Sequence, residues 1–246
     1  MKSTVNGTRR YVAFFLLFSM LFCSLLSLLM LMGKWVNEKY EKTDANAEPI
    51  PSPVVIIDAG HGGEDGGAVG KNGVYEKDIN LSVALLLRDM LAANGIEAVL
   101  TRSEDILLYD KNSDYHGQKK VQDLATRRKI AESYENALFV SIHMNAFPDE
   151  KYSGLQVYFS KNGETSKALA ESIQTLTREK LMPDNNRKCK AADSNIYLLD
   201  RLSCPSVLVE CGFLSNPAEC ARLSDSDYQK KLALCLFAAV AGYLAE

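Results

Sequence analysis

From Tyr11 to Gly33 the chain runs for 23 residues, YVAFFLLFSMLFCSLLSLLMLMG, without a charged side chain. As a helix rising about 1.5 Å per residue it would extend roughly 34 Å, enough to cross a hydrocarbon core of about 30 Å. Lys2, Arg9 and Arg10 precede it, and such a basic flank keeps the N-terminal end in the cytoplasm. A cleaved signal peptide is the alternative, but its apolar stretch would be about 7–15 residues and close at a small-x-small site. Here the nearest such site, Ala45-Asn46-Ala47, lies well past the run. The expectation is a short cytoplasmic stretch at 1–10 and a retained transmembrane anchor at 11–33, with the rest of the chain exported under either reading. Residues 34–52 are polar and carry Pro49 and Pro51, which predicts a tether leading into a folded domain at 53–246.

With 246 residues, 47% of them apolar, the chain can bury one sizeable core but not two large ones. No period of about 20–50 residues repeats, which excludes solenoids and propellers. The first 51 residues hold six basic and four acidic side chains, leaving 22 basic against 27 acidic beyond them, a net charge near −5. That balance excludes a basic face for nucleic acid, so no nucleic-acid partner is expected. Of six cysteines, Cys23 falls in the apolar run and the other five follow Lys188. The spacing has no C-x-x-C, so these cysteines read as small buried hydrophobes rather than a thiolate metal site.

Past the tether, strand and helix signals alternate. Val54–Asp58, Ala98–Thr101, Ala137–Ile142, Gly154–Phe159, Asn195–Leu199 and Ser206–Val209 read as strands. Asn80–Ala93, Asp123–Tyr134, Thr165–Lys180 and Asp227–Leu244 read as helices. Asn216-Pro-Ala-Glu219 carries a helix-start signature, and Ser226 with Gln229 suggests a capping box before the last helix. Apolar runs alternating with helices predict an α/β fold: a mostly parallel twisted sheet with helices on both faces.

The chemistry-bearing residues stand where strands end. VVIIDAGH puts His61 just past the first strand, LFVSIH puts His143 at the end of another, and SVLVE puts Glu210 at the end of a third. In open parallel sheets ligands bind outside the carboxyl ends of the strands, so the three can converge. A carboxylate ending a buried strand needs a partner, and a metal site supplies one. The glycine-rich loop from Gly60 to Glu76 allows close backbone approach but matches neither nucleotide fingerprint. Glu76 itself either stabilises a helix dipole or turns toward His61; spacing leaves both open.

The blocks IIDAGHGGEDGGAVG, YEKDINL, EAVLTR, LATRRKIA, LFVSIHMNA, GLQVYFS and VLVECGFLSNPAE resemble the zinc-dependent N-acetylmuramoyl-L-alanine amidases of bacterial cell walls. The two histidine blocks and the final glutamate block are the specific ones, and together the blocks cover about residues 54–244. NNRKCKAAD and NIYLL look most like the sporulation and germination amidases of endospore formers. The resemblance implies a single zinc ion on His61, Glu76 and His143, with Glu210 as the catalytic carboxylate and peptidoglycan as substrate. Two histidines and one carboxylate leave a fourth tetrahedral position open, the pattern of a catalytic zinc. Glu210 would then take a proton from the attacking water and return it to the departing amine.

Other matching positions carry weaker roles. Asp58 either orients a ligand from behind or caps the turn after its strand, Asn145 touches substrate or holds its loop, and Arg127 forms a structural ion pair. His116 has no family match and reads as a solvated loop residue, and Cys211, next to Glu210, points to the opposite face of its strand. No wall-binding repeats flank the domain, so the anchor sets its location. No long helical insertion covers the site, which is therefore open or governed by a separate regulatory protein. A zinc carboxypeptidase acting on wall peptides is one alternative, lacking an evident arginine cluster; a non-catalytic wall-binding module is another, at odds with the presence of Glu210.

Overall fold

The computed structural model describes residues 3–44, 53–110, 112 and 118–245. His116 and residues 45–52 of the expected tether lie outside the described residues. The chain divides into two units, Met1–Pro51 and Ser52–Glu246.

The first unit is one helix, α1 (Ser3–Asp44), which overruns the expected 11–33 at both ends and takes in the first part of the expected tether. Within it Phe15–Trp35 is long and apolar enough to cross a membrane. The hydroxyls of Ser19, Ser24 and Ser27 donate to Leu16 O, Leu21 O and Cys23 O at 2.8–2.9 Å. These bonds satisfy polar groups within the segment, as an apolar surrounding requires.

In the second unit β1 (Val54–Ala59), β2 (Ala98–Leu100), β3 (Ala137–Asn145), β4 (Gln156–Phe159), β5 (Lys190–Ala191) and β6 (Ser206–Phe213) form one sheet ordered β2-β1-β3-β6-β4-β5. The first four in that order run parallel; β4 pairs antiparallel with β6, and β5 parallel with β4. The strand period divides the side chains cleanly. Val55, Ile57, Val140, Ile142, Val207 and Val209 meet α2 (Glu76–Ala93), α4 (Glu164–Lys180) and α7 (Ser226–Leu244) in the larger core. Ile56, Phe139 and Leu208 point the other way, toward α3 (Lys119–Glu132) and α5 (Tyr197–Arg201). Helices thus cover both faces of a mixed, mainly parallel sheet.

Two expectations change. Asn195–Leu199 is not a strand: Asp200 N donates to Ile196 O and Leu202 N to Leu198 O, closing the turns of α5. A short apolar run has no period to decide its type, and burial of Leu198 and Leu199 against the sheet settles it. The cap of α7 is Asp225, whose Oδ1 accepts from Tyr228 N at 2.8 Å, and not Ser226. Gln229 cannot reach back to a cap because it bonds Ser82 and Leu223 O. At α6 (Pro217–Leu223) the expected signature holds, with Asn216 Oδ1 accepting from Glu219 N at 3.0 Å. All described cysteines are free thiols; Cys211, Cys220 and Cys235 are buried as expected, whereas Cys189 and Cys204 are only partly buried and Cys23 is exposed.

Candidate metal centre and active site

The carboxyl ends of β1, β3 and β6 lie side by side, with His143 in register with Glu210. The pairing of β3 with β6 shifts between His143 and Asn145, an irregularity of the kind that re-aims side chains beside active sites.

His61 follows β1 in a left-handed conformation, φ 61°, which a non-glycine residue holds only when its surroundings impose it. Two buried arginines do so. Arg127 donates to Ala59 O and His61 O, each at 2.7 Å, and Arg102 donates to Ala59 O at 2.8 Å and Gly60 O at 3.0 Å. Beneath them Asp58 is wholly enclosed: Oδ1 accepts from Thr101 and Arg127 at 2.7 Å, and Oδ2 from Ser141 at 2.6 Å. Burial alone would raise the Asp58 pKa, but the Arg127 charge and these hydrogen bonds hold it below the ordinary value. Asp58 thus acts on the His61 turn through Arg127, and Arg127 is the expected structural ion pair, joined also to Asp123 at 2.8 Å.

Glu76 opens α2 and its buried side chain turns inward, which answers the question that spacing left open. Oε1 lies 3.3 Å from His61 Nε2 and 2.9 Å from His143 Nδ1, and also accepts from Met144 N at 3.0 Å and Asn80 Nδ2 at 3.3 Å. Oε2 accepts from Ala68 N at 2.8 Å. One nitrogen from each histidine and one Glu76 oxygen all lie within 4.8 Å of one another. Glycines keep this space open: a Cβ on Gly60 would strike the His143 ring, and one on Gly67 would strike Glu76 and His61.

Electrostatics follow from the crowding. Burial pulls the His61 pKa down, but Asp65 and Glu76 outweigh it and the value rises to about 9. Asp65 Oδ2 sits 3.0 Å from His61 Nδ1, close enough to stabilise the charged imidazolium. Burial would raise Glu76, and the two imidazoles instead hold it well below the carboxylate range. Glu210 is the opposite case. Burial pushes its pKa up to about 7, with the His143 charge pulling down and Glu76 adding to the rise. The residue as a whole is half-buried, but its Oε2 is sealed from solvent and has no hydrogen-bond partner. It is a carboxylate kept in want of a proton or a donor.

The structure thus brings His61, Glu76 and His143 together and sets Glu210 opposite His143 in the pairing of β3 with β6. Asn145 does not join them by hydrogen bonding among the described residues; its carbonyl accepts from Leu214 N at 2.8 Å. Asp65, Asn80 and Arg102 were missed. Two of these had a local signal: Asp65 stands four residues after His61, and Asn80 four after Glu76 on the same helix face. The arginine had none, since the carbonyls it fixes beside the site, Ala59 O and Gly60 O, stand more than 40 positions away.

Comparison with known proteins agrees with this geometry. The Amidase_3 family, N-acetylmuramoyl-L-alanine amidase, matches residues 55–241. The germination-specific N-acetylmuramoyl-L-alanine amidase of Bacillus subtilis is 38% identical over 199 residues, covering 80% of this chain and 82% of that one. Amidase AmiA of Escherichia coli is 30% identical, covering 77% and 75%. Among solved structures, the CwlD amidase of Clostridioides difficile, in complex with the GerS lipoprotein, superposes with TM-score 0.74 at 41% identity, covering 78% of this chain and 98% of that one. The AmiC2 amidase of Nostoc punctiforme gives TM-score 0.67 at 31% identity, covering 79% and 98%. This chain belongs to the N-acetylmuramoyl-L-alanine amidase family.

Proposed function

We propose that this chain hydrolyses the amide joining the lactyl group of N-acetylmuramic acid to L-alanine in peptidoglycan, with zinc on His61, Glu76 and His143 and with Glu210 moving the proton. The observation that supports the reading best is the meeting of those three donors within 4.8 Å beside a carboxylate with an unpartnered oxygen. Two imidazoles and one carboxylate are a donor set that suits zinc and leaves a position for substrate or water. When bound there, zinc would supply Lewis acidity toward the amide carbonyl.

The protein's own residues account for the rest. Glu76 is held by the Met144 and Ala68 amides and by Asn80, so its oxygen is fixed before any ligand arrives. Arg127 and Arg102 fix the His61 turn through its carbonyls. Glu210, raised toward neutrality by burial, accepts the proton of the attacking water and passes it to the amide nitrogen, which leaves poorly unless protonated.

Location and role complete the proposal. The Phe15–Trp35 segment anchors the chain, residues 1–10 stay in the cytoplasm, and the domain at 53–246 works outside the membrane. Likeness to the germination-specific amidase of Bacillus subtilis supports action during spore cortex formation or germination. The solved complex of CwlD with a lipoprotein supports an accessory extracytoplasmic protein here too.

Substitution of the two glutamates tests the assignment. Glu210→Gln keeps size and shape but removes the basic oxygen, so zinc content should hold while release of stem peptides from purified wall falls about 10²- to 10⁴-fold. Glu76→Gln should lose zinc and activity together. Mass spectrometry of the digest and metal analysis of each variant read both. If Glu210→Gln loses the metal and Glu76→Gln keeps it, the roles are reversed.

A further inference from the structure

A cavity of about 660 Å³ lies beside the amino end of β4, and its wall includes Lys151, Tyr152, Asp184, Arg187 and Arg222. Two of its cations are matched: Lys151 Nζ is 2.7 Å from Asp149, and Arg222 Nη2 is 3.5 Å from Glu219. Arg187 is held differently. Its Nε donates to Ser153 O at 2.7 Å and its Nη1 to Gln156 Oε1 at 3.3 Å, while the guanidinium lies 4.5 Å from the Phe213 ring centre and 5.9 Å from that of Tyr152. Among the described residues no carboxylate pairs with it. A guanidinium has five N–H donors, so three remain for a ligand, on a wall where Lys151 and Arg222 are matched by Asp149 and Glu219 and where Asp184 is exposed.

Gln156 ties this arginine to the active edge. It is buried and stands directly opposite Glu210 in the antiparallel pairing of β4 with β6. Neighbouring strands lie about 4.8 Å apart, so Arg187, one side chain beyond, is on the order of 10 Å from the catalytic carboxylate. An extended peptide advances about 3.3–3.6 Å per residue, so a group meeting Arg187 belongs two to three residues past the bond that is cut.

We propose that this cavity receives the stem peptide and that Arg187 reads the carboxylate of its second residue, favouring the free acid over the amide. The proposal rests on the amidase reading and adds the part of the substrate that decides specificity. Arg187 is a specificity-determining residue in it. A loop clamp between Ser153 and Gln156 is the rival role, and that role is blind to the substrate's charge.

The test uses full-length zinc-loaded protein in detergent and two muropeptides of one length, differing only in whether the α-carboxyl of the second stem residue is free or amidated. The parent should favour the free acid by about tenfold in kcat/KM, mainly through KM, as one charge-assisted hydrogen bond predicts. Arg187→Gln should bring that ratio to about one, and Arg187→Lys, which keeps the charge but loses the fork, should retain part of it. A parent that cuts both substrates equally overturns the proposal and leaves the amidase reading standing. So does an Arg187→Gln protein that loses rate on both while its preference persists. Failure of the parent to cut either one overturns the amidase reading and this proposal together.

Discussion

Asp58 and Arg127 meet at 2.7 Å with almost no solvent reaching either side chain, and Arg127 carries the contact on to the His61 carbonyl. Removing one partner of a buried pair strands the other, so Arg127→Met should destabilise the domain by about 3–5 kcal/mol in chemical denaturation. Zinc affinity should fall with it, because the His61 turn loses its clamp. The pair also sets an acid limit. Asp58 has a folded pKa below its unfolded value of about 3.9, so its contribution is complete above roughly pH 5 and is lost as pH falls through the lower folded value. Asp58→Asn should flatten this part of the stability-against-pH curve below about pH 4; a curve that keeps the parent's acid limb places the effect on another carboxylate. His61, His143 and Glu210 could be singled out in the sequence because each stands at or just past the end of a largely apolar strand run, broken only by Asp58 in the first and Ser141 in the second. Arg102, although its guanidinium holds Gly60 O and Ala59 O, could not, since a side chain that serves distant carbonyls leaves no spacing to read.

At the scale of elements, capping is where local chemistry and structure agree most closely. Asn216 accepts from Glu219 N and donates from Nδ2 to Glu150 O at 2.8 Å, so it both starts α6 and pins the loop after β3. Asn216→Ala should cost about 1–2 kcal/mol, seen as a lower denaturation midpoint, and Asn216→Asp should recover the capping share only. The strands β1, β3 and β6 could be read from sequence because parallel strands buried on both faces are continuously apolar. The pair β4–β5 could not be read in full: β5 is two exposed residues, Lys190 and Ala191, with no apolar signal. The turn of helix at Tyr197–Arg201 was hidden for the converse reason, being apolar but too short to show a period.

At the scale of the whole chain, the two units differ in what they need around them. The described side chains of α1 are mostly exposed leucine, phenylalanine and methionine, whereas the second unit closes two cores of its own. Residues 53–246 alone should therefore unfold in one cooperative transition, with a midpoint matching that of the domain in the detergent-solubilised full chain. A truncated domain that melts several degrees lower would show that the tether or α1 contributes to its stability. The thiols described above bear on how the protein can be made. With its cysteines standing as free thiols, the fold should mature without an oxidising catalyst. The domain can thus be produced in a reducing bacterial cytosol and kept in dithiothreitol through purification, provided the reductant is removed before the metal is added.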